Sequence, residues 1–366
     1  MYLLDAMNHV KRIKKAMEEL GGTATINFSD FSMDAHVGER AIHLYPQFSK
    51  VQQGKVSYTT EFGDEVGVFN GWYAMANKYW DFSSEKLKFK ELVRERGLQT
   101  PAYFFDRSTS PRDVIIKHTT SSFGDTLRGP FREVGEHAPE TLLKEGEYYE
   151  QFIFGLIVKV WYWNGKPICL KIRNMPTLEC DGISTFGELL ATERAIITKY
   201  HSEDWFDLQD WHILDLMLDY QGVRVEDILP AGHRVLLDYR YNNCWLKLTW
   251  VHDNALPTCD IPVVRDQLGR AGELLWNEIP EPMRQDTMFT IDAILDSRDC
   301  LWLLEINSNP QVHPDVYSSM LRDLFSREPA QENVVALPVA PMPAAIPATQ
   351  WTPSPQSILP QAKYRS

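Results

Sequence analysis

A chain of 366 residues that is 44% hydrophobic and 12% aromatic can bury a substantial core, divided over roughly two or three subdomains. Its formal net charge of −13 argues against a general nucleic-acid or anionic-membrane binder, although a local basic pocket for phosphates is compatible with it. Five cysteines in odd number and without CxxC spacing suggest neither a zinc site nor a disulfide framework; with no apolar run near about 18 residues and no signal-peptide order, the expectation is a soluble protein of the reducing cytoplasm.

Leu3, Met7, Val10, Ile13, Met17 and Leu20 recur at helical spacing and Gly21-Gly22 stops them, which predicts an amphipathic helix over 3–20. Residues 23–70 are mixed, with short strand-like pieces at 41–44 and 66–69 and no motif. Ser83 or Ser84 is expected to cap a helix through Lys86, Phe89, Leu92 and Val93 that ends at Gly97, before a strand over 102–105. An apolar strand over 114–117 then delivers Lys117 into the small-residue loop 119–125, which contains Ser121 and Ser122. Such a loop can offer N–H and hydroxyl groups to phosphates; an ordinary turn is the alternative.

A strand over 148–153 precedes a hairpin of 158–163 and 167–172, joined at Asn164-Gly165, a type I′ turn signal. Asp181-Gly182 opens a turn before a helix over 185–197, a third hairpin is expected around Asn242-Asn243 (233–241 and 244–251), and Leu268, Ala271, Leu274 and Leu275 indicate another helix. The stretch 288–313 contains the last hairpin. Pairing Leu295 with Cys300 sets Asp292 opposite Leu303 and Thr290 opposite Glu305; Asp292, Glu305 and Asn307 then share one face, while Ile291, Leu304 and Ile306 take the other. Two carboxylates and an amide oxygen make a hard, Mg²⁺-type donor set, a solvated polar face being the alternative. A one-residue slip would separate Asp292 from the other two. Beyond Phe325, residues 329–366 hold 8 of the 22 prolines, so a disordered Pro/Ala-rich tail is expected there.

Lys86 at a helix start, Lys117 before a small-residue loop, the Glu150-Gln151-Phe152-Ile153 segment and the Asp292…Glu305-x-Asn307 hairpin occur in an order that resembles the ATP-grasp superfamily over roughly 83–325. Residues 181–190, 228–239 and 303–314 look most like the ATP-grasp module of cyanophycin synthetases and bifunctional glutathione synthetases, with D-alanine–D-alanine ligases more distant. The resemblance implies an α+β fold in which two α+β subdomains (83–155 and 156–328) grip ATP behind a short N-terminal α/β region (1–82), with the tail at 329–366. It implies two Mg²⁺ ions, or Mn²⁺ in their place, at Asp292, Glu305 and Asn307; phosphates at Lys86 and Lys117 with Ser121 and Ser122; and adenine at Glu150, Gln151, Phe152 and Ile153. Arg173 matches a basic position for the substrate carboxylate or the developing acylphosphate, a surface salt bridge being the alternative, and Arg240 lies on the third expected hairpin, where relatives carry a Ser/Gly-rich substrate loop. His313 is read either as an approach to the acceptor site or as a capping residue.

The chain departs from the family where Ile157 replaces a ribose-binding glutamate, with Asp181 as a candidate substitute, and where Thr290 replaces a phosphoryl-stabilising arginine. The implied activity is an ADP-producing carboxylate–amine ligase acting on an amino acid or small peptide, with no nucleic-acid or membrane partner and with a homodimer left open. A small-molecule kinase and a nucleotide-binding regulatory pseudoenzyme are the alternatives.

Overall fold

The computed structural model describes residues 2–52, 55–63, 66–75, 77–106, 111–120, 127–135, 138–199, 206, 208–245 and 254–327. Helix α1 (Tyr2–Glu19) leads into strands β1 (Thr23–Ile26), β2 (Met33–Val37), β3 (Arg40–Gln52), β4 (Lys55–Thr59) and β5 (Val66–Tyr73). Helices α2 (Asp81–Ser84) and α3 (Lys86–Glu95) precede β6 (Tyr103–Phe104), β7 (Arg112–His118), β8 (Arg128–Glu133) and β9 (Glu147–Gln151). Then come β10 (Leu156–Trp163), β11 (Lys166–Arg173), β12 (Thr177–Glu179), α4 (Phe186–Thr198), α5 (Leu208–Gln221), β13 (Arg234–Leu236), α6 (Pro262–Glu278), α7 (Glu281–Arg284), β14 (Met288–Leu295), β15 (Leu301–Asn307) and α8 (Val316–Ser326). The fold is α+β: among the described residues every pairing between strands is antiparallel. The expected tail lies outside the described residues.

The pieces expected at 41–44 and 66–69 belong to longer strands of a sheet ordered β1-β2-β3-β4, with β5 also on β3. Its core is shared with the far end of the chain: Ile13, Met17, Phe48 and Trp72 cluster with Val316, Tyr317, Met320 and Leu321 of α8. The buried Tyr317 hydroxyl accepts from the Trp72 amide at 2.9 Å and meets His9 Nδ1 at 2.8 Å, satisfying polar groups that burial would otherwise penalise.

Two four-stranded sheets follow, ordered β6-β9-β7-β8 and β11-β10-β14-β15. Helix α3 begins differently from the expected serine cap: Ser83 and Ser84 fall inside α2, and Glu85, in extended backbone, is the N-cap, so Lys86 is the first helical residue. In the β10–β11 turn both Asn164 (φ 49°) and Gly165 (φ 76°) are left-handed, as a type I′ turn requires. One face of the second sheet, including Val158, Val160, Tyr162, Ile291 and Leu303, packs on Leu268 and Leu275 of α6. Tyr162 stacks on Phe289 (centroids 4.9 Å apart) and its hydroxyl donates to the Leu268 carbonyl at 3.0 Å. The other face meets the first sheet in an apolar seam of Ile115, Phe152, Ile157, Ile294, Met217 and Tyr239.

Thr185 caps α4 in a reciprocal capping box with Glu188. The hairpin expected around Asn242-Asn243 does not form in the described part: only Arg234–Leu236 is a strand, and it pairs with Thr177–Glu179, while 246–251 lie outside the described residues. Local side chains divert this backbone. Asp238 Oδ1 accepts from the amides of Tyr239 and Arg240, and Asn243 Oδ1 from that of Trp245.

A β-carbon at Gly165 would lie 2.8 Å from Trp276 Cβ, in addition to the strain of positive φ. Gly165→Val should therefore cost about 2–4 kcal/mol in equilibrium denaturation; a change below about 0.5 kcal/mol would contradict the packed turn.

Candidate active site

The seam face of the second sheet can be read as rows across β11, β10, β14 and β15. One row is Arg173–Ile157–Ile294–Trp302, the next Lys171–Lys159–Asp292–Glu305, and the third Cys169–Trp161–Thr290–Asn307. The register of the last hairpin differs by one residue from the expected one: Leu295 pairs with Leu301, so Ala293 faces Leu303. A regular ladder would then have put Glu305 and Asn307 on the face away from Asp292. A bulge between Ala293 and Asp292 absorbs Leu304, and beyond it Asp292 pairs with Glu305 and Thr290 with Asn307. Asp292, Glu305 and Asn307 therefore still share a face. Leu304, expected on the opposite side, joins the seam beside Trp302 and Ile294.

Asn307 Nδ2 donates to Asp292 Oδ2 at 3.1 Å, and Lys159 Nζ donates to Asp292 Oδ1 at 2.7 Å. Lys86, in the first turn of α3, reaches Glu305 Oε2 at 3.7 Å. Burial raises the Asp292 carboxyl and the adjacent Glu305 charge adds to that, while Lys159 opposes it. Burial also works against the Glu305 anion, but Lys86, Lys117 and Lys159 outweigh it and hold this carboxyl low. For the Lys86 ammonium, burial and Lys117 win over Glu305, so its pKa is lowered.

Beside this cluster the fully buried Glu150 carboxylate, on β9, lies between Lys117 Nζ (2.7 Å) and Lys90 Nζ (2.9 Å). It also accepts from the Tyr148 hydroxyl at 3.2 Å. Burial alone would raise its pKa, yet Lys117 and Lys90 bring it down to about 2. Lys90, deeply buried and sharing one anion with Lys117, falls to about 8 because desolvation exceeds the attraction of Glu150. Two ammoniums to one carboxylate overcompensate the anion and undercompensate the cation.

The remaining expected residues divide. The Gln151 and Phe152 amides are bonded to the Ala102 and Asp113 carbonyls, Phe152 is buried in the seam, and Ile153 borders it. Arg173, at the end of β11, lies 5.6 Å from the Tyr241 ring, which also faces Lys159 Nζ at 4.9 Å. Arg240 is clasped by Asp238, through Nε and Nη2, and by Asp210 at 2.5 Å. Ile157 is buried in the apolar seam, and Asp181 is engaged in its own turn with Ile183 and Ser184. Thr290 is fully buried and its hydroxyl has no hydrogen-bond partner among the described residues. His313 accepts from the Asp315 amide and lies 5.2 Å from the Trp161 ring. Ser121 and Ser122 lie outside the described residues.

Sequence reasoning passed over Lys90 and Lys159. A signal existed for each: Lys90 is one helical turn beyond Lys86, and Lys159 is the single charge in the apolar strand Leu156–Trp163.

The donor set fits Mg²⁺. Two adjacent carboxylates and an amide are hard oxygen ligands, and a divalent ion between them would relieve the repulsion of the two carboxylates. Among the described residues no group of three or more His, Cys, Asp or Glu side chains is placed to hold a metal ion, and no helix is long and apolar enough to cross a membrane.

No family model and no curated protein matches the chain. Solved structures overlay on it partially. A bifunctional glutathione synthetase from Pasteurella multocida is 13% identical over 86% of this chain and 43% of its own, with a TM-score of 0.38. A D-alanine–D-alanine ligase from Bacillus anthracis complexed with ATP is 10% identical over 67% and 65%, with a TM-score of 0.33. An L-amino acid ligase from Bacillus licheniformis is 11% identical over 62% and 40%, with a TM-score of 0.28. The chain thus spans less than half the length of the first and third. Overlays this partial carry no argument of their own, and the functional reading rests on the site.

Removing the Glu150 charge would leave two ammoniums without their shared anion, so Glu150→Gln should cost about 3–5 kcal/mol in urea denaturation at pH 7. Because the folded carboxyl is held below its ordinary 4.5, the difference between wild type and variant should be full above that pH and shrink as pH falls toward about 2. A difference that does not change with pH would contradict the ion trio.

Proposed function

We propose that this chain is an ATP-grasp type carboxylate–amine ligase: it transfers the γ-phosphoryl group of ATP to a substrate carboxylate, and an amine then displaces phosphate from the acylphosphate to form an amide. The observation that carries the reading is the convergence of Lys86, Lys117 and Lys159, from one helix and two sheets, on the Asp292–Glu305–Asn307 face beside an apolar seam. A carboxylate is a poor acceptor for an amine because its leaving group would be oxide; phosphorylation supplies a better one. The protein's task is positioning and charge neutralisation.

Lys86 and Lys117 hold the phosphates. Asp292, Glu305 and Asn307 would hold Mg²⁺, which when bound neutralises phosphate oxygens during transfer. Glu150 is fully occupied by Lys90 and Lys117, so it orients Lys117, and the purine is met by the following residues and the seam, with Ile153, Trp302 and Leu304 offering apolar surface. Arg173 receives the substrate carboxylate or the developing acylphosphate as a planar fork. Arg240 braces residues 238–240 against α5 through Asp210.

The test is phosphate release from ATP and Mg²⁺ with pairs of amino acids, with hydroxylamine added to trap the acylphosphate as a hydroxamate. Amine-dependent phosphate release is expected. Glu305→Gln and Asn307→Ala should each lower turnover by at least about 10²-fold without loss of fold. A stable phosphorylated product formed regardless of amine would make the protein a kinase, and near wild-type rates in both variants would overturn the metal assignment.

A further inference from the structure

In sites that use two divalent ions on a triphosphate, the ions sit about 3.5–4 Å apart and clamp the reacting oxygens from both sides. Here Asp292 occupies the central strand β14, with its two neighbours on opposite sides. Toward β15 lie Glu305, the Cα partner of Asp292, and Asn307, whose Nδ2 donates to Asp292 Oδ2 at 3.1 Å. Toward β10 lies Lys159, the Cα partner of Asp292 on the same face, its ammonium 2.7 Å from Oδ1. That ammonium is walled by aromatic rings, Tyr241 at 4.9 Å and Trp161 at 6.0 Å from their centroids, which favour a cation there. Lys171, the Cα partner of Lys159 on β11, adds a second positive charge on the same side.

We infer that Lys159 stands in for one divalent ion, so that the nucleotide-loaded site would take a single Mg²⁺ through Asp292, Glu305 and Asn307, with the Lys159 ammonium fixed on the β10 side of Asp292. The inference rests on the ligase reading and refines its metal content. The carboxylate oxygen that would be shared by a second ion is engaged by a side chain whose position is set by strand register. Unlike a diffusible ion, this charge cannot be exchanged, and its single positive charge demands less anionic ligation than a divalent one.

The experiment is a Mn²⁺ titration of the full chain in saturating ADP, with free Mn²⁺ read by electron paramagnetic resonance. One bound Mn²⁺ per chain is expected for wild type and for Lys159→Arg, and two for Lys159→Gln. Two ions in the wild type would overturn the inference and leave the ligase reading intact. One ion in all three proteins would show that Lys159 is not what excludes the second. No bound Mn²⁺ in the wild type would remove the metal site itself, and both readings with it.

Discussion

Asp292 and Glu305 stand opposite each other on neighbouring strands, and two carboxylates so placed in a half-buried seam repel one another and lose hydration. The arrangement is tenable because cations reach it from separate elements: Lys159 across the sheet, Lys86 from the start of α3, and Lys117 from the end of β7. Lys86 is itself placed against the helix dipole, since the N-terminal end of α3 carries partial positive charge. Its proximity to Glu305 offsets that cost. The docking of α3, the sheet order and the end of β7 therefore all answer one electrostatic requirement.

The same logic extends to Glu150. An ion pair this deeply buried is a weak source of net stability, because desolvation consumes most of the Coulombic gain. What it confers is position. With one oxygen toward Lys90 and the other toward Lys117, Glu150 fixes the direction of the Lys117 side chain and ties α3 to β7 and β9. The lysines Lys86, Lys90, Lys117 and Lys159 outnumber the carboxylates Glu150, Asp292 and Glu305, within a chain whose overall charge is strongly negative. A local positive excess held against that global charge is the electrostatic complement of a polyanion.

The two arginines singled out by resemblance are in different physical situations. Arg240 is gripped by two carboxylates, and Asp238 also accepts from two backbone amides, so this cluster reads as a brace for an irregular segment. Arg173 shares the Tyr241 ring with Lys159 and so lies on the side of the sheet where the phosphoryl chemistry is proposed. At Ile157 the apolar seam extends over a position where a ribose-binding glutamate was the family expectation.

By itself the sequence determined much. Alternation and turn chemistry located the β10–β11 hairpin through Asn164-Gly165, the Asp181-Gly182 turn signal preceded the expected helix over 185–197, and the last hairpin already carried Asp292, Glu305 and Asn307 as a set. These are local features, legible because periodicity and turn geometry act over a few residues. The N-terminal sheet was less legible because its strands gain their identity from pairing with one another and from packing on α8. Tertiary structure alone decided the register of the last hairpin, where the Leu304 bulge corrects a one-residue slip, and the assignment of Lys90, Lys117 and Lys159 to particular carboxylates. A bulge depends on which side chains find a place in the seam, and ion pairs between residues as far apart as 159 and 292 depend on which strands become neighbours; no local pattern in the chain encodes either.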